Sequence, residues 1–193
     1  TVDVLVNNAG MHSRGDLETV DPADVGAMVD INIRAPLMLS CAAIPYLRRA
    51  GGGGIVMVGS LAGMAPLQGA ATYSGTKAGL RAFAYALADE MRGTGIHVGV
   101  VSPGPIDTGF IMDEIDNVED IVFSQPMSSA GEVADAILSI AAGDRLEIPM
   151  PAASGKMVNL GYLFPRLRRY LRPKLYAKGR KNKDKYRNRQ INE

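Results

Sequence analysis

The chain has 193 residues, 47% hydrophobic and 21% charged, enough to bury one sizeable core in one domain. Its single cysteine, Cys41, excludes an intrachain disulfide, and no unbroken apolar run of about 18 or more residues marks a membrane span. The formal net charge of +1 conceals a split: residues 1–155 carry 8 Lys and Arg against 18 Asp and Glu, and residues 156–193 carry 13 against 2. That asymmetry reads as an acidic globular body followed by a basic tail.

In chain order, Val4-Leu5-Val6 predicts a strand over 3–7 that runs into a small polar turn, Asn7-Asn8-Ala9-Gly10. The chain opens directly on this strand, with no visible signal peptide. A helix is expected over 22–49. Pro36 within it lacks the N–H that would bond the carbonyl of Asn32, so that carbonyl is left free and a water could enter the ladder. Gly51-Gly52-Gly53-Gly54 precedes a strand and opens no helix, so it reads as a flexible helix-to-strand loop. Strands follow at 54–59, ending on Ser60, at 96–101, and at 145–149. Helices fall at 72–92 and 130–142, the second opening on Ser129 and Glu132 with a capping-box pattern. Leu80, Ala84, Leu87 and Met91 form a stripe that is either core or a subunit contact. Cys41 reads as a small core residue. Alternating helices and Val/Ile-rich strands imply an α/β fold with a doubly wound parallel sheet.

The chemistry concentrates at Tyr73-Ser74-Gly75-Thr76-Lys77. Residues four apart share a helix face, so Lys77 would sit beside Tyr73 and lower its pKa. A phenol so tuned passes a proton to or from an alcohol or carbonyl oxygen. Taken singly, the Tyr–Lys spacing fits a solvated surface pair better. Its neighbours are more telling: Asn7-Asn8-Ala9-Gly10 after one strand, Ser60 after a second, and Pro103-Gly104 through Thr108 after a third. In this order, the motifs N-N-A-G, the strand-end serine, Y-x-x-x-K and P-G-x-x-x-T resemble the short-chain dehydrogenase/reductase family over roughly residues 1 to 150.

The resemblance implies the C-terminal portion of a Rossmann-like fold, strands four to seven, with 1–155 a partial catalytic domain and 156–193 a basic amphipathic tail. It also implies that the chain is truncated at its N-terminus, since the Gly-rich dinucleotide turn of the family lies upstream of its fourth strand. Implied activity is NADP- or NAD-dependent interconversion of an alcohol and a ketone or aldehyde, with NADP favoured. Tyr73 would be the general acid/base. Lys77 would hold ribose hydroxyls as well as tune the phenol, and Ser60 would hydrogen-bond the reacting oxygen. The family's matching asparagine holds a water that links the lysine to solvent, a relay implied for Asn32. Asn8, Ala9 and Gly10 would approach the adenosine-ribose side, and Pro103, Gly104, Ile106 and Thr108 would flank the nicotinamide.

His12 and His97, the only histidines, suggest no metal site and read as structural. Between 109 and 128 apolar residues such as Phe110, Ile111, Ile121 and Phe123 mix with acids. They suit a lipid-, retinoid- or steroid-like substrate, or else they pack this connection onto the body. In the tail, Leu160, Leu163, Phe164, Leu167, Tyr170, Leu171 and Leu175 recur among arginines, broken by Pro165 and Pro173. This basic amphipathic pattern suits an anionic membrane surface, a partner subunit's acidic body or plain solvent; nucleic-acid binding lacks a recognition module. Residues 178–189 are expected to be disordered. A homo-dimer or tetramer through helices 22–49 and 72–92, and a cytoplasmic location with membrane association, complete the expectations. A non-catalytic binding protein, keeping the motif residues without the dinucleotide cradle, is the alternative function.

Overall fold

The computed structural model describes residues 1–191, with side chains to residue 188. Its centre is a sheet of four parallel strands in the order β1 (Val4–Asn7), β2 (Gly53–Val58), β3 (Ile96–Pro103) and β4 (Glu147–Met150). Leu5 pairs with Ile55, Ile55 with Val98, and Val101 with Ile148. Four parallel strands need crossovers, and helices supply them: α1 (Pro22–Val29) and α2 (Ala35–Ala50) after β1, α3 (Leu61–Met64) and α4 (Ala71–Glu90) after β2. After β3 come α5 (Gly109–Met112) and α6 (Ala130–Ala141), and after β4 come α7 (Ala152–Leu163) and α8 (Pro165–Ile191).

The pattern of the strands follows from what covers them. Ile55, Val56, Met57 and Val58 of the central strand are all buried, as a strand covered on both faces requires. On one face α2 and α4 supply Leu47, Leu80, Ala84 and Leu87 against Ile55, Met57, Val98 and Val100. The Leu80–Met91 stripe is therefore core. On the other face α6 supplies Val133, Ala136 and Ile140 against Val56 and Val101. Helix α6 is fixed at its start by a reciprocal cap, Ser129 Oγ accepting from the Glu132 N–H at 3.2 Å and the Ser129 N–H donating to Glu132 Oε2 at 2.7 Å.

Several expectations are revised. The predicted helix 22–49 is two α-helices joined by a π-helical turn, Asp30–Arg34, where the Ala35 N–H reaches back to the Asp30 carbonyl. Pro36 explains the widening, since an i→i−4 ladder cannot close where a donor is missing. Pro22–Ala50 is apolar enough to span a membrane by length and composition, but it is interrupted at this turn and lays Met28, Asn32 and Leu47 on the body. Gly51 to Gly54 is not slack chain: Gly51 closes α2 in the left-handed region, and a Cβ at Gly53 would overlap the Asp3 carbonyl. Cys41 is exposed rather than in the core.

The basic tail differs most. Pro165 opens α8, and Pro173 lies inside it without ending it. Residues 178–188, expected to be disordered, are helical and dock on the connection 109–128. The Lys183 ammonium is buried there, donating to the Val118 carbonyl at 2.7 Å and the Asp116 carbonyl at 3.2 Å. Arg180 meets Asp120 at 3.1 Å, Tyr176 donates to Glu119 at 3.1 Å, and Arg187 pairs with Asp116. Asp116, Glu119 and Asp120 of this connection are thus met by the chain's own tail. Its apolar residues make a core of their own, Ile111, Ile115, Val118 and Phe123, closed by Tyr186 of α8.

Candidate active site

Motif residues from four separate elements meet at the carboxyl ends of β1, β2 and β3, where open parallel sheets bind ligands. Ser60 follows β2 and caps α3, its Oγ accepting from the Ala62 N–H at 3.1 Å. The same hydroxyl influences the Tyr73 phenol, which comes from the first turn of α4. Ser60 therefore caps α3 and also faces the cavity beside Tyr73. Gly63 lets α3 approach α4 so closely: a Cβ there would lie 2.6 Å from the Lys77 carbonyl carbon.

Lys77 is buried, its ammonium donating to the Val58 carbonyl at 2.8 Å. Burial lowers its pKa to about 8. The expected lowering of the Tyr73 pKa by Lys77 is not found. Burial raises the phenol above its usual range, opposed by the Ser60 hydroxyl and by the charge of Arg14. The Lys77 ammonium lies 5.8 Å from the phenol ring's centre, and one of its three N–H groups is engaged by the strand carbonyl. Helical spacing brings the two residues to one face, but desolvation outweighs a cation at that range.

Asn32 is fully buried in the π-turn. Its Oδ1 accepts from the Met11 N–H and its Nδ2 donates to the Met11 carbonyl, each at 2.8 Å, with Thr76 Oγ1 3.3 Å from the same Nδ2. This clamp holds the chain after N-N-A-G against α4. Gly10 lies so near that a Cβ there would sit 3.3 Å from Asn32 Oδ1 and 3.4 Å from Lys77 Nζ. Asn7, the first residue of the motif, is structural and donates to Ser40 Oγ at 3.2 Å.

A cavity of about 910 Å³ opens over this cluster. It is lined by Ser60, Tyr73 and Lys77, by Asn8, Ala9 and Gly10, and by Pro103, Gly104, Ile106 and Thr108. Asn32 lies behind its wall. Two residues that sequence reasoning left out also line it. His12 stacks on Tyr73, ring centroids 4.2 Å apart and planes 15° from parallel. Its Nδ1 lies 2.9 Å from Arg14 Nη1; arginine only donates, so Nδ1 is the acceptor and the proton sits on Nε2. That Nε2–H is buried without a hydrogen-bond partner. Burial, then the Arg14 charge, lowers the His12 pKa to about 4, so the ring is neutral near pH 7. Arg14 continues to Glu114 at 3.0 Å and to the Phe110 carbonyl at 3.0 Å, joining this loop to the connection 109–128. The place of His12 two residues after N-N-A-G was the one available signal.

The cavity's outer wall is apolar and includes Phe110, Ile121, Met157, Leu160, Leu167 and Leu171. Four of these six come from α7 and α8, so the tail helps enclose the site.

The sequence of residues 1–119 matches the profile of the short chain dehydrogenase family. The ketoacyl reductase HetN of Nostoc sp. is 33% identical over 138 residues, which cover 70% of this chain and 48% of that protein. The solved structure of a putative gluconate dehydrogenase from Agrobacterium tumefaciens superposes with a TM-score of 0.71 at 26% identity, over 80% of this chain and 65% of that one. A gluconate 5-dehydrogenase from Burkholderia cenocepacia, solved with NADP and tartrate, shares the fold with a TM-score of 0.72 at 22% identity, over 81% and 66%. The chain spans about half the length of the first curated relatives it matches. With four parallel strands, the motif cluster at their carboxyl ends and the family profile over 119 residues, this chain belongs to the short chain dehydrogenase family.

Proposed function

We propose that this chain carries the proton-handling and substrate-binding part of an NAD(P)-dependent oxidoreductase that interconverts an alcohol and a ketone or aldehyde. The observation that carries this reading is that Ser60 and Tyr73 line one large cavity together, beside the buried Lys77. Ser60 and Tyr73 converge two O–H groups on one point, as needed to hold a substrate oxygen and pass its proton.

The residues present fit the nicotinamide end of the cofactor. Lys77, Gly104, Ile106 and Thr108 line the cavity there, and Gly104 keeps the end of β3 close to Leu61 and the Met150 carbonyl. Asn8, Ala9 and Gly10 would approach the ribose nearest the adenine, Lys77 the ribose hydroxyls, and Pro103, Gly104, Ile106 and Thr108 the nicotinamide ring. The cofactor, when bound, takes up or gives the hydride. NADP is favoured over NAD in this reading, while neighbours of the same fold were solved with NADP and with NAD.

In the reductive direction the substrate oxygen gains the Tyr73 proton while its carbon gains the hydride; oxidation returns both. Ser60 Oγ, oriented by its bond to the Ala62 N–H, steadies the oxygen. The raised pKa keeps Tyr73 protonated and ready to donate near pH 7. Asn32 holds the loop carrying Gly10 at its place and would take the relay role toward Lys77. The His12 Nε2–H would donate to a substrate oxygen beside the phenol.

The apolar outer wall suits a hydrophobic alcohol or ketone. Exposed Met38, Leu39 and Tyr46 on α2 suit a homo-oligomeric contact that includes α4. The test uses the complete polypeptide. Oxidation of NADPH and of NADH should be measured with a long-chain aliphatic ketone and with a short hydroxy-ketone. Faster turnover of the long-chain ketone is expected; no oxidation of NADPH or of NADH with either ketone would contradict the reading.

A further inference from the structure

The tail does two things at once. Its inward face straps the acidic connection 109–128, spending Tyr176, Arg180, Lys183 and Arg187 on that contact, while Arg172 meets Gln68. Its outward face keeps the rest of the charge. Lys174, Lys178, Lys181 and Lys185 recur at spacings of three and four, so they share one side of α8, and Arg166 and Arg169 lie nearer the α7–α8 corner. All are exposed, and none has an ion-pair partner among the described residues.

At the N-terminal end of this cationic stripe, the α7–α8 corner exposes a compact apolar group. Leu163 is 71% exposed, Phe164 54%, Tyr162 62% and Tyr170 72%. Met157, Leu160 and Leu167 are also exposed, and these same three line the active-site cavity. The apolar corner is therefore the rim of the cavity's mouth.

We propose that the α7–α8 corner and the outward face of α8 form a docking surface for an anionic membrane, which sets the cavity mouth against the lipid. The outward cations would lie along the headgroups, and Leu163, Phe164 and the two tyrosines would enter the interface. Charge complementarity selects this occupant over a tail-to-tail contact with a second copy, which would bring like charge against like, and the exposed apolar corner beside the cations suits a lipid interface better than the acidic body of another copy. A further consequence, resting on the oxidoreductase reading, is that the substrate is a membrane-dissolved alcohol or ketone that enters between Met157, Leu160 and Leu167.

Co-sedimentation of the complete polypeptide with phosphatidylcholine vesicles, with and without phosphatidylglycerol, tests the surface without any turnover. Binding is expected to vesicles containing phosphatidylglycerol and to weaken with salt. Leu163→Glu with Phe164→Glu should lower it at least about tenfold. Arg166→Gln and Arg169→Gln should each lower it roughly fivefold. None of these four side chains lines the cavity or packs in the core, so thermal melts should match the parent's. A parent that stays in the supernatant at low salt overturns the proposal. So does capture on a DNA duplex but not on vesicles, or loss of a dimer rather than of vesicle binding in the Leu163→Glu, Phe164→Glu variant.

Discussion

His12 lies flat on Tyr73, with 4.2 Å between ring centroids. The stack closes one face of the phenol and sets a buried, unpartnered N–H beside it. His12→Phe keeps a ring against Tyr73 but removes the donor. Steady-state kinetics should show kcat/KM falling about tenfold to a hundredfold, the cost of one buried hydrogen bond to substrate. Binding of NADPH, followed by its fluorescence, should be unchanged. An unaltered kcat/KM would remove His12 from the substrate site.

The same residue fixes a pH dependence. His12 titrates ordinarily at 6.5 and at about 4 in the folded chain. As pH falls below 6.5 the unfolded chain takes up this proton first, so folding stability is lost between pH 6.5 and 4. The loss from this group approaches about 3 kcal/mol. Urea midpoints measured across that interval should fall more steeply for the parent than for His12→Phe.

Away from the site, Glu147 at β4 ties three elements together. Arg81 of α4 holds it with two bonds of 2.7 Å, Tyr85 donates at 2.7 Å, and Ser102 of β3 donates at 2.9 Å. Burial pushes its carboxyl up, but the bonds from Arg81, Tyr85 and Ser102 outweigh that and hold it below the usual range. Glu147→Gln should cost roughly 2–3 kcal/mol in urea unfolding near pH 7. The difference from the parent should shrink as pH falls through the carboxylate range, because the parent then loses the same charge.

The strands and the Ser60, Tyr73, Lys77 cluster were legible because they are local: Val/Ile runs and i,i+4 spacing survive in one dimension. Pro36 likewise announced a disturbed helix at Asn32, though not that a π-turn would absorb it. What the sequence did not disclose depends on distant neighbours. The phenol's pKa is set by burial, and the lysine that sequence places beside it is occupied by the Val58 carbonyl. Lys183 looked like a member of a disordered basic run. It is buried because Asp116, Val118 and Asp120 come to meet it from more than 60 residues away in the chain.

The strap formed by α8 is sensitive at Gly179, where an added Cβ would overlap the Asp120 carbonyl. Gly179→Ala should cost about 1–3 kcal/mol through this overpacking. Limited proteolysis should then cut within 109–128 sooner than in the parent. Equal cleavage rates would show that α8 does not brace this connection.

The most direct test of the central claim, that Tyr73 passes the proton to and from the substrate, is the Tyr73→Phe variant of the complete polypeptide. Its turnover and its NADPH affinity should be measured together. The expected result is a kcat reduced by at least about a hundredfold with NADPH affinity close to the parent's. Turnover within a few-fold of the parent would contradict it.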